Sequence, residues 1–501
     1  MIKPLIKMWL LGAVISVTAV AAPLSGEDIK WLNRVTYGID SATLAAYGNE
    51  GRARYLERQL SPNVDDSPPA RVAGLIAAMR ITQEPIKIRM LATQQEHFRI
   101  KKLPIEQRPQ ATVTVNQALA QSAVESAHRH LLRALYSPAQ IKEQLAWFWL
   151  NHFSVSKDKG PLMNRLVADY EEYAIRPHVL GKFRDLLMAT LRHPAMLVYL
   201  DNAQNAVGKI NENYARELME LHTLGVDGGY TQQDVQELAR ILTGVGVNWS
   251  NNYPKMYKQR ESYYRHEGGF EFNPNRHDFR DKVFLGKKMA GDGFAEVEQV
   301  VDRLASHPST AHFISRKLAV YFVADAPPAE LVGRMAKTFQ ATGGDIAATL
   351  HTLFESKEFV ASLGKKAKDP MHYIVSAVRF AYEDRPVSDV QPMINWLNEL
   401  GEPLYGHPTP DGYGMTEKDW LSPEQLTRRF EVAQRIASGK PKLTGSEVDP
   451  KTLTPPALTN QLYYQAIEPA LSAQTKSALS KAVSQQEWNA FLLSSPEFMY
   501  H

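Results

Sequence analysis

Three groups of residues have types and spacings that could carry chemistry. The first is the run Asn211-Glu212-Asn213-Tyr214-Ala215-Arg216-Glu217-Leu218-Met219-Glu220-Leu221-His222-Thr223-Leu224-Gly225. Wound as a helix at ~100° per residue, it centres an apolar face on Tyr214, Leu218 and Leu221, with Leu224 at one margin and Ala215 and Met219 at the other. Glu217 falls between Leu224 and Leu221, and His222 between Leu218 and Ala215. A carboxylate and an imidazole are thus directed toward the core, while Arg216, Glu220 and Thr223 lie opposite. Charges placed there must be paired, metal-bound or shifted in pKa. That suits general acid/base work or metal ligation. A structural alternative pairs Glu217 with Arg240 on the next helix and leaves His222 on a backbone carbonyl.

The second group is Trp147-Phe148-Trp149-Leu150-Asn151-His152-Phe153. Aromatic residues at successive positions cannot share one face, so this helix is expected to be buried most of the way round, bringing Asn151 and His152 inside. Its rings could stack on sugars, although core packing is the favoured explanation of them. Asp169, Glu171, Glu172 and Arg176 on the next helix are potential partners for His152. The third group is His277-Asp278, followed by Asp281 and Lys282, in an irregular stretch. A histidine-aspartate pair occurs in metal phosphohydrolases, which need further ligands in a helical setting. His-Glu-x-x-His, Gly-x-Ser-x-Gly, Walker A and Gly-x-Gly-x-x-Gly patterns are absent, so the common protease, esterase, nucleotide and dinucleotide readings lose support.

The elements that must position these residues read as helical, because apolar residues recur at three and four positions and sustained alternation is almost absent. Ser137-Pro138-Ala139-Gln140, Ser422-Pro423-Glu424-Gln425 and Thr231-Gln232-Gln233-Asp234 each spell a helix start. Gly225 is placed to end a helix. Between about 251 and 293 the composition turns to Tyr, Asn, Gly and His, with Phe270-Glu271-Phe272 and Lys282-Val283-Phe284-Leu285-Gly286 suggesting a small hairpin. Residues 401–414 are dense in Gly and Pro and are expected to link blocks or cap a cleft. The expected organisation is a segment 1–22, helical blocks 23–250 and 294–400 separated by the 251–293 insertion, and a linker with a third helical block over 401–501.

The chain has 501 residues, 44% hydrophobic and 22% charged, with Lys+Arg 57 against Asp+Glu 54. These values exclude a disordered chain, and the near balance of charge argues against a nucleic-acid binder. Lys3 and Lys7, the apolar run to Val17 and Ala19-Val20-Ala21-Ala22 have the three parts of a secretory signal. The expectation is a periplasmic or secreted chain with no transmembrane segment after cleavage. Cysteine is absent, so a metal would be held by His, Asp, Glu or backbone oxygen.

Taken together, Trp149-x-Asn151-His152-Phe153, His193-Pro194-Ala195-Met196-Leu197 with Tyr199-Leu200-Asp201, the 211–225 run, Gly229-Tyr230-Thr231, Ala239-Arg240-x-Leu242-Thr243-Gly244 and His277-Asp278 resemble the bacterial family known as domain of unknown function 1800. The resemblance extends from Trp31-Leu32-Asn33-Arg34 through His307-Pro308-Ser309-Thr310-Ala311 to Ser495-Pro496-Glu497-Phe498. Two positions depart from the family pattern. Val245 stands where members tend to carry Trp, and Leu150 where a polar residue or second His is frequent, which weakens a two-histidine reading of that segment. The resemblance implies an exported, mostly helical protein, often encoded beside sulfatase-like secreted proteins, and supplies no established activity.

The combined expectation is a mainly α, multi-helical, bundle-like body with a small β-hairpin and irregular loop insertion. Its function is read as metal-assisted or acid/base hydrolysis of an envelope or extracellular polymer such as a polysaccharide. Glu217, His222, His152, His277 and Asp278 are the candidate catalytic residues. Arg216, Arg240, Asn151, Trp149 and Tyr230 are the candidate substrate contacts, and His152, His222 and Glu217 the candidate ligands of one divalent metal. The alternative is a non-catalytic envelope protein that binds or assembles a secreted partner.

Overall fold

The structure is a computed structural model that describes residues 24–250, 253–383, 385–445 and 455–501. The expected signal segment lies outside the described residues. The chain is mainly α-helical, as the periodicity predicts. Helix Arg108–Tyr136 packs along Met163–Asp169, Pro308–Phe322 along Ala329–Ala341, and Pro423–Ser438 along Gln485–Leu493. One contiguous cluster of buried side chains runs from Ile29 to Met499 through all of these pairs, so the segments expected as separate blocks contribute to one core. No helix among the described residues is long and apolar enough to cross a membrane.

Local signals explain most helix ends. Ser422 caps helix Pro423–Ser438 by accepting from the Gln425 N–H, and Thr231 and Asp234 form a reciprocal capping box at Gln232–Ile241. The 137–140 start is displaced: the helix begins at Gln140, because Ser137 Oγ accepts from the Ala139 N–H and the Gln140 side chain donates to the carbonyls of Ala134 and Ser137. Helix Gln140–His152 is buried nearly all round, as its aromatic run requires.

The insertion holds more strand than one hairpin. Val245–Val247, which precedes the expected boundary, pairs antiparallel with Phe270–Phe272, and that strand also pairs with Arg265–Glu267. Lys282–Phe284 and Lys287–Met289 form a separate hairpin. His277 lies between these sheets with its ring fully buried: Nδ1 meets the Thr243 carbonyl at 2.8 Å and Nε2 meets Glu296 Oε1 at 2.9 Å. Lys282 Nζ, equally buried, donates to Glu296 Oε2 at 2.6 Å and to the Asp278 carbonyl. Asp278 accepts from Arg280 Nη2 at 2.6 Å and from Arg240 Nε at 2.9 Å. Arg280 and then Arg240 hold its carboxylate well below the usual range. This network ties the insertion to helices Gln232–Ile241 and Phe294–Ser306.

Removing one member of a buried ion pair leaves the other charged and unpaired, at about 3–5 kcal/mol. Glu296→Ala, which strands Lys282 and His277 together, is expected to lose stability of about that size in urea unfolding, with a far smaller loss for Glu298→Ala on the exposed side of the same helix.

Candidate functional site

Helix Asn213–Glu220 ends two residues before His222. The chain then leaves α geometry through a wide turn in which the His222 N–H donates to the Glu217 carbonyl at 3.1 Å and the Leu224 N–H to Met219 at 2.8 Å. Gly225 follows at φ +83°, the left-handed conformation expected of a helix-ending glycine. The turn sends Glu217 and His222 different ways. His222 is fully buried with its ring 5.1 Å from Phe153 and 6.1 Å from His152. Glu217 stays half-buried beside Glu220, Arg216 and the loop residue Asp411.

His152, at the end of its helix, is stacked on Phe148 and edged by Trp149, Phe153 and Phe313. Its Nε2 meets the backbone carbonyl of His222 at 3.1 Å. Its Nδ1 and both ring nitrogens of His222 have no hydrogen-bond partner. Orphaned buried polar atoms cost about 1–3 kcal/mol each, so such a group is a strong mark of unfinished recognition. Burial and the Lys317 charge hold both imidazoles neutral: His152 lies well below its ordinary range, and His222 is pushed down to about 3.

Lys317, on helix Pro308–Phe322, completes the group. Its side chain makes no ion pair or hydrogen bond among the described residues and runs past the Phe313 ring at 5.7 Å. Burial pushes its ammonium down to about 8, against an opposing pull from Asp411. Glu217 is displaced the other way, raised by burial, by Glu220 and by Asp411. Asp411 acts on both, so a lysine lowered toward neutrality and a carboxyl raised toward it share one charged neighbour, and groups shifted in this sense are those that acid/base chemistry uses.

The 401–414 stretch closes over this region. Asn151 grips it from both sides, donating to the Tyr413 carbonyl at 2.9 Å and accepting from the Tyr413 N–H at 2.6 Å. The Tyr413 ring stacks on Trp147, and Tyr199 donates to the Pro408 carbonyl at 3.0 Å. Gly412, at φ +75°, lies against the Asn151 carbonyl so closely that no Cβ fits. The stretch is therefore a strap across the end of helix Gln140–His152, and it carries exposed Asp411 to within electrostatic reach of Lys317, Glu217 and Tyr199.

A family model described as a protein of unknown function, DUF1800, matches residues 30–500. The chain belongs to that family. Neither the curated proteins nor the solved structures contain a match to it.

In this DUF1800 chain the expected site residues divide. His152 and His222 come together, with Glu217 one turn away. His277 and Asp278 do not join them, since all their polar contacts are spent in the Lys282–Glu296 network. Arg240 binds Asp278 and Glu237 rather than Glu217. Trp149 is wholly inside the core and donates to the Val179 carbonyl, so it offers no face to a sugar. Asn151 holds the strap instead of a substrate. Arg216, partly exposed, bonds Glu212 and Gln232, and Tyr230 lies near Glu220 and Arg216 at the rim. The expected partners of His152 are engaged elsewhere: Asp169 with His193, Glu171 with His130, Glu172 with Arg133 and Arg176 with Glu143.

The expected metal set does not form. Among the described residues no three His, Asp or Glu side chains are gathered to hold one ion. The wide turn explains this, because it presents the His222 carbonyl, not its ring, to His152 and leaves Glu217 on the rim. Lys317 and Asp411 were not among the expected site residues, and Tyr199 entered only through the family pattern. Lys317 does flank an apolar stripe, three residues after Ile314 and four after Phe313, but periodicity cannot say which element that flank meets.

The two neutral imidazoles set an acid dependence. Unfolded, each histidine takes a proton near 6.5, while folded His222 does not until about 3. The unfolded state therefore binds more protons in that window, and stability falls as pH drops from about 6.5 toward 3, by up to about 1.4 kcal/mol per pH unit for each histidine. His222→Phe is expected to flatten this slope in urea midpoints measured from pH 7 to pH 4; an unchanged slope would show that His222 is not buried neutral.

Proposed function

We propose that this chain is an exported acid/base hydrolase acting on an anionic envelope or extracellular polymer. The observation that carries the reading is the unpaired Lys317 ammonium beside the two orphaned imidazoles, with Asp411 acting on both Lys317 and Glu217. An exported setting is supported by the three-part segment at residues 1–22. Lys317 attracts an acidic group of the polymer and can donate a proton to the departing oxygen. Glu217, with its raised carboxyl, takes the proton of the attacking water. His152 and His222 lie behind them as neutral groups able to pass a proton or hold a water at their open nitrogens. Arg216 and Tyr230 border the approach on the Glu217 side. The distal part of the strap, residues 407–414, must shift for a polymer to enter, and Asp411 makes the closed position favourable through its attraction to Lys317.

The complete burial of both imidazoles supports a second reading, in which the chain binds or assembles a secreted partner, such as a sulfatase-like protein, or an envelope polymer without turning it over.

The two separate on one experiment. Purified protein would be incubated with isolated envelope polysaccharide, and released ends and co-sedimentation followed together. Hydrolysis is expected, with Glu217→Gln and Lys317→Met each about 10²-fold slower or more while retaining the wild-type far-UV spectrum. Co-sedimentation with no released ends, in wild type as in both variants, would overturn the hydrolase and favour the binding protein.

A further inference from the structure

Far along the chain from the His152–His222 pair, residues 364–368 run beside 499–501 in a short ladder. The Lys368 N–H donates to the Met499 carbonyl at 2.9 Å, the His501 N–H to Lys366 at 3.0 Å, and an antiparallel bridge joins Ala367 to Tyr500. This ladder, helix Gly26–Val35 and the turn 466–471 enclose a cavity of about 170 Å³. Its walls are largely hydrocarbon, from Ile29, Ile39, Ile467, Leu471 and Phe498. A cavity near 150 Å³ with such walls accommodates a benzene ring.

The polar groups in it are unevenly provided for. Glu497 is occupied, its carboxylate accepting from the Ser472 N–H at 2.9 Å and from Thr475 Oγ1 at 2.8 Å. Lys368 is 3% exposed, and its Nζ has one hydrogen bond, to Ser376 Oγ at 3.1 Å, with the Phe498 ring 4.2 Å away. No carboxylate pairs with it among the described residues. The neighbouring buried cations add to its charge and are held by carbonyls: Arg429 donates to the Lys368 carbonyl at 2.7 Å, and Arg34 to the carbonyls of Phe322, Ser362 and His501. Burial and then Arg429 push the Lys368 ammonium down to about 7. His501 also lines the cavity, with its Nδ1 unpartnered. Burying an ammonium without a counter-ion is costly, and the cost is relieved by an anion delivered from outside.

We propose that this cavity binds a small apolar carboxylate of the size of benzoate or hexanoate, its carboxylate on Lys368 Nζ and its hydrocarbon against Ile29, Ile467, Leu471 and Phe498. The ring or chain fills the apolar volume, and the acid group supplies the partner that Lys368 lacks. This site is independent of the hydrolase reading, since it shares no residue with it.

Titration calorimetry of the full chain tests it with benzoate and hexanoate, and with benzamide as the neutral match of benzoate. Benzoate is expected to bind at least 10-fold more tightly than benzamide, and Lys368→Met to abolish that preference. Ala470→Phe, a substitution at an exposed residue lining the cavity, is expected to block both acids even if the lysine variant does not fold. Absence of binding by either acid to the wild type, or a benzoate affinity equal to that of benzamide, would overturn the proposal. So would benzoate binding that persists in the folded Ala470→Phe protein.

Discussion

Burying a helix on every side obliges each of its polar side chains to find a partner, and in helix Gln140–His152 those partners come from the whole length of the chain. Gln140 accepts from the Tyr37 N–H, Glu143 takes Arg176 in a two-pronged ion pair, and Gln144 meets His372. Trp149 reaches Val179, Asn151 the strap at Tyr413, and His152 the turn at His222. Unpaired, each would cost about 1–3 kcal/mol, and the charged ones more. The requirement to satisfy them fixes where the N-terminal helix, the 401–414 strap and the turn after Glu220 sit relative to one another. The candidate site is the place where that satisfaction stops.

The contrast between the two histidine centres shows what separates a structural group from a functional candidate. His277 is as buried as His222, yet both its nitrogens have oxygen partners and its neighbouring charges cancel in the Lys282–Glu296 bridge. His222 has aromatic neighbours and no partner at either nitrogen. Lys317 is likewise unpaired where Lys282 is doubly engaged. Burial alone does not mark a site. Burial without satisfaction does, because the missing free energy is available to whatever arrives with the right chemistry.

The strap adds a conformational element to this chemistry. Its first part is anchored in the body, with buried Tyr405 donating to Glu171 and Glu402 accepting from the Met371 N–H, whereas residues 407–414 are held through Asn151, Tyr199 and the Trp147 ring, and Gly412 permits an approach that any side chain would prevent. Few apolar side chains anchor its tip, where Pro408, Thr409 and Asp411 are exposed. Segments of that kind open at lower free energy than the core they cover, which reconciles a sealed pair of imidazoles with the access that the proposed hydrolysis requires.

Much of this architecture was legible in the residues themselves. Period-three and period-four recurrence fixed the helical class, the Ser422 and Thr231 caps fixed helix starts, and the aromatic run at 147–153 required a helix buried all round. These are local properties, set by backbone geometry within a few residues. The inward direction of His222 was legible for the same reason, whereas its separation from Glu217 was not, because the wide turn replaces α bonds two residues before the helical pattern ends. The family pattern carried His277-Asp278 and Arg240 as readily as His152, but satisfaction of a buried charge depends on partners tens or hundreds of residues away. Only the tertiary structure decided that Asp278 belongs to Arg240, that Lys317 joins the histidine pair, and that Lys368 lines an apolar cavity with no carboxylate partner among the described residues.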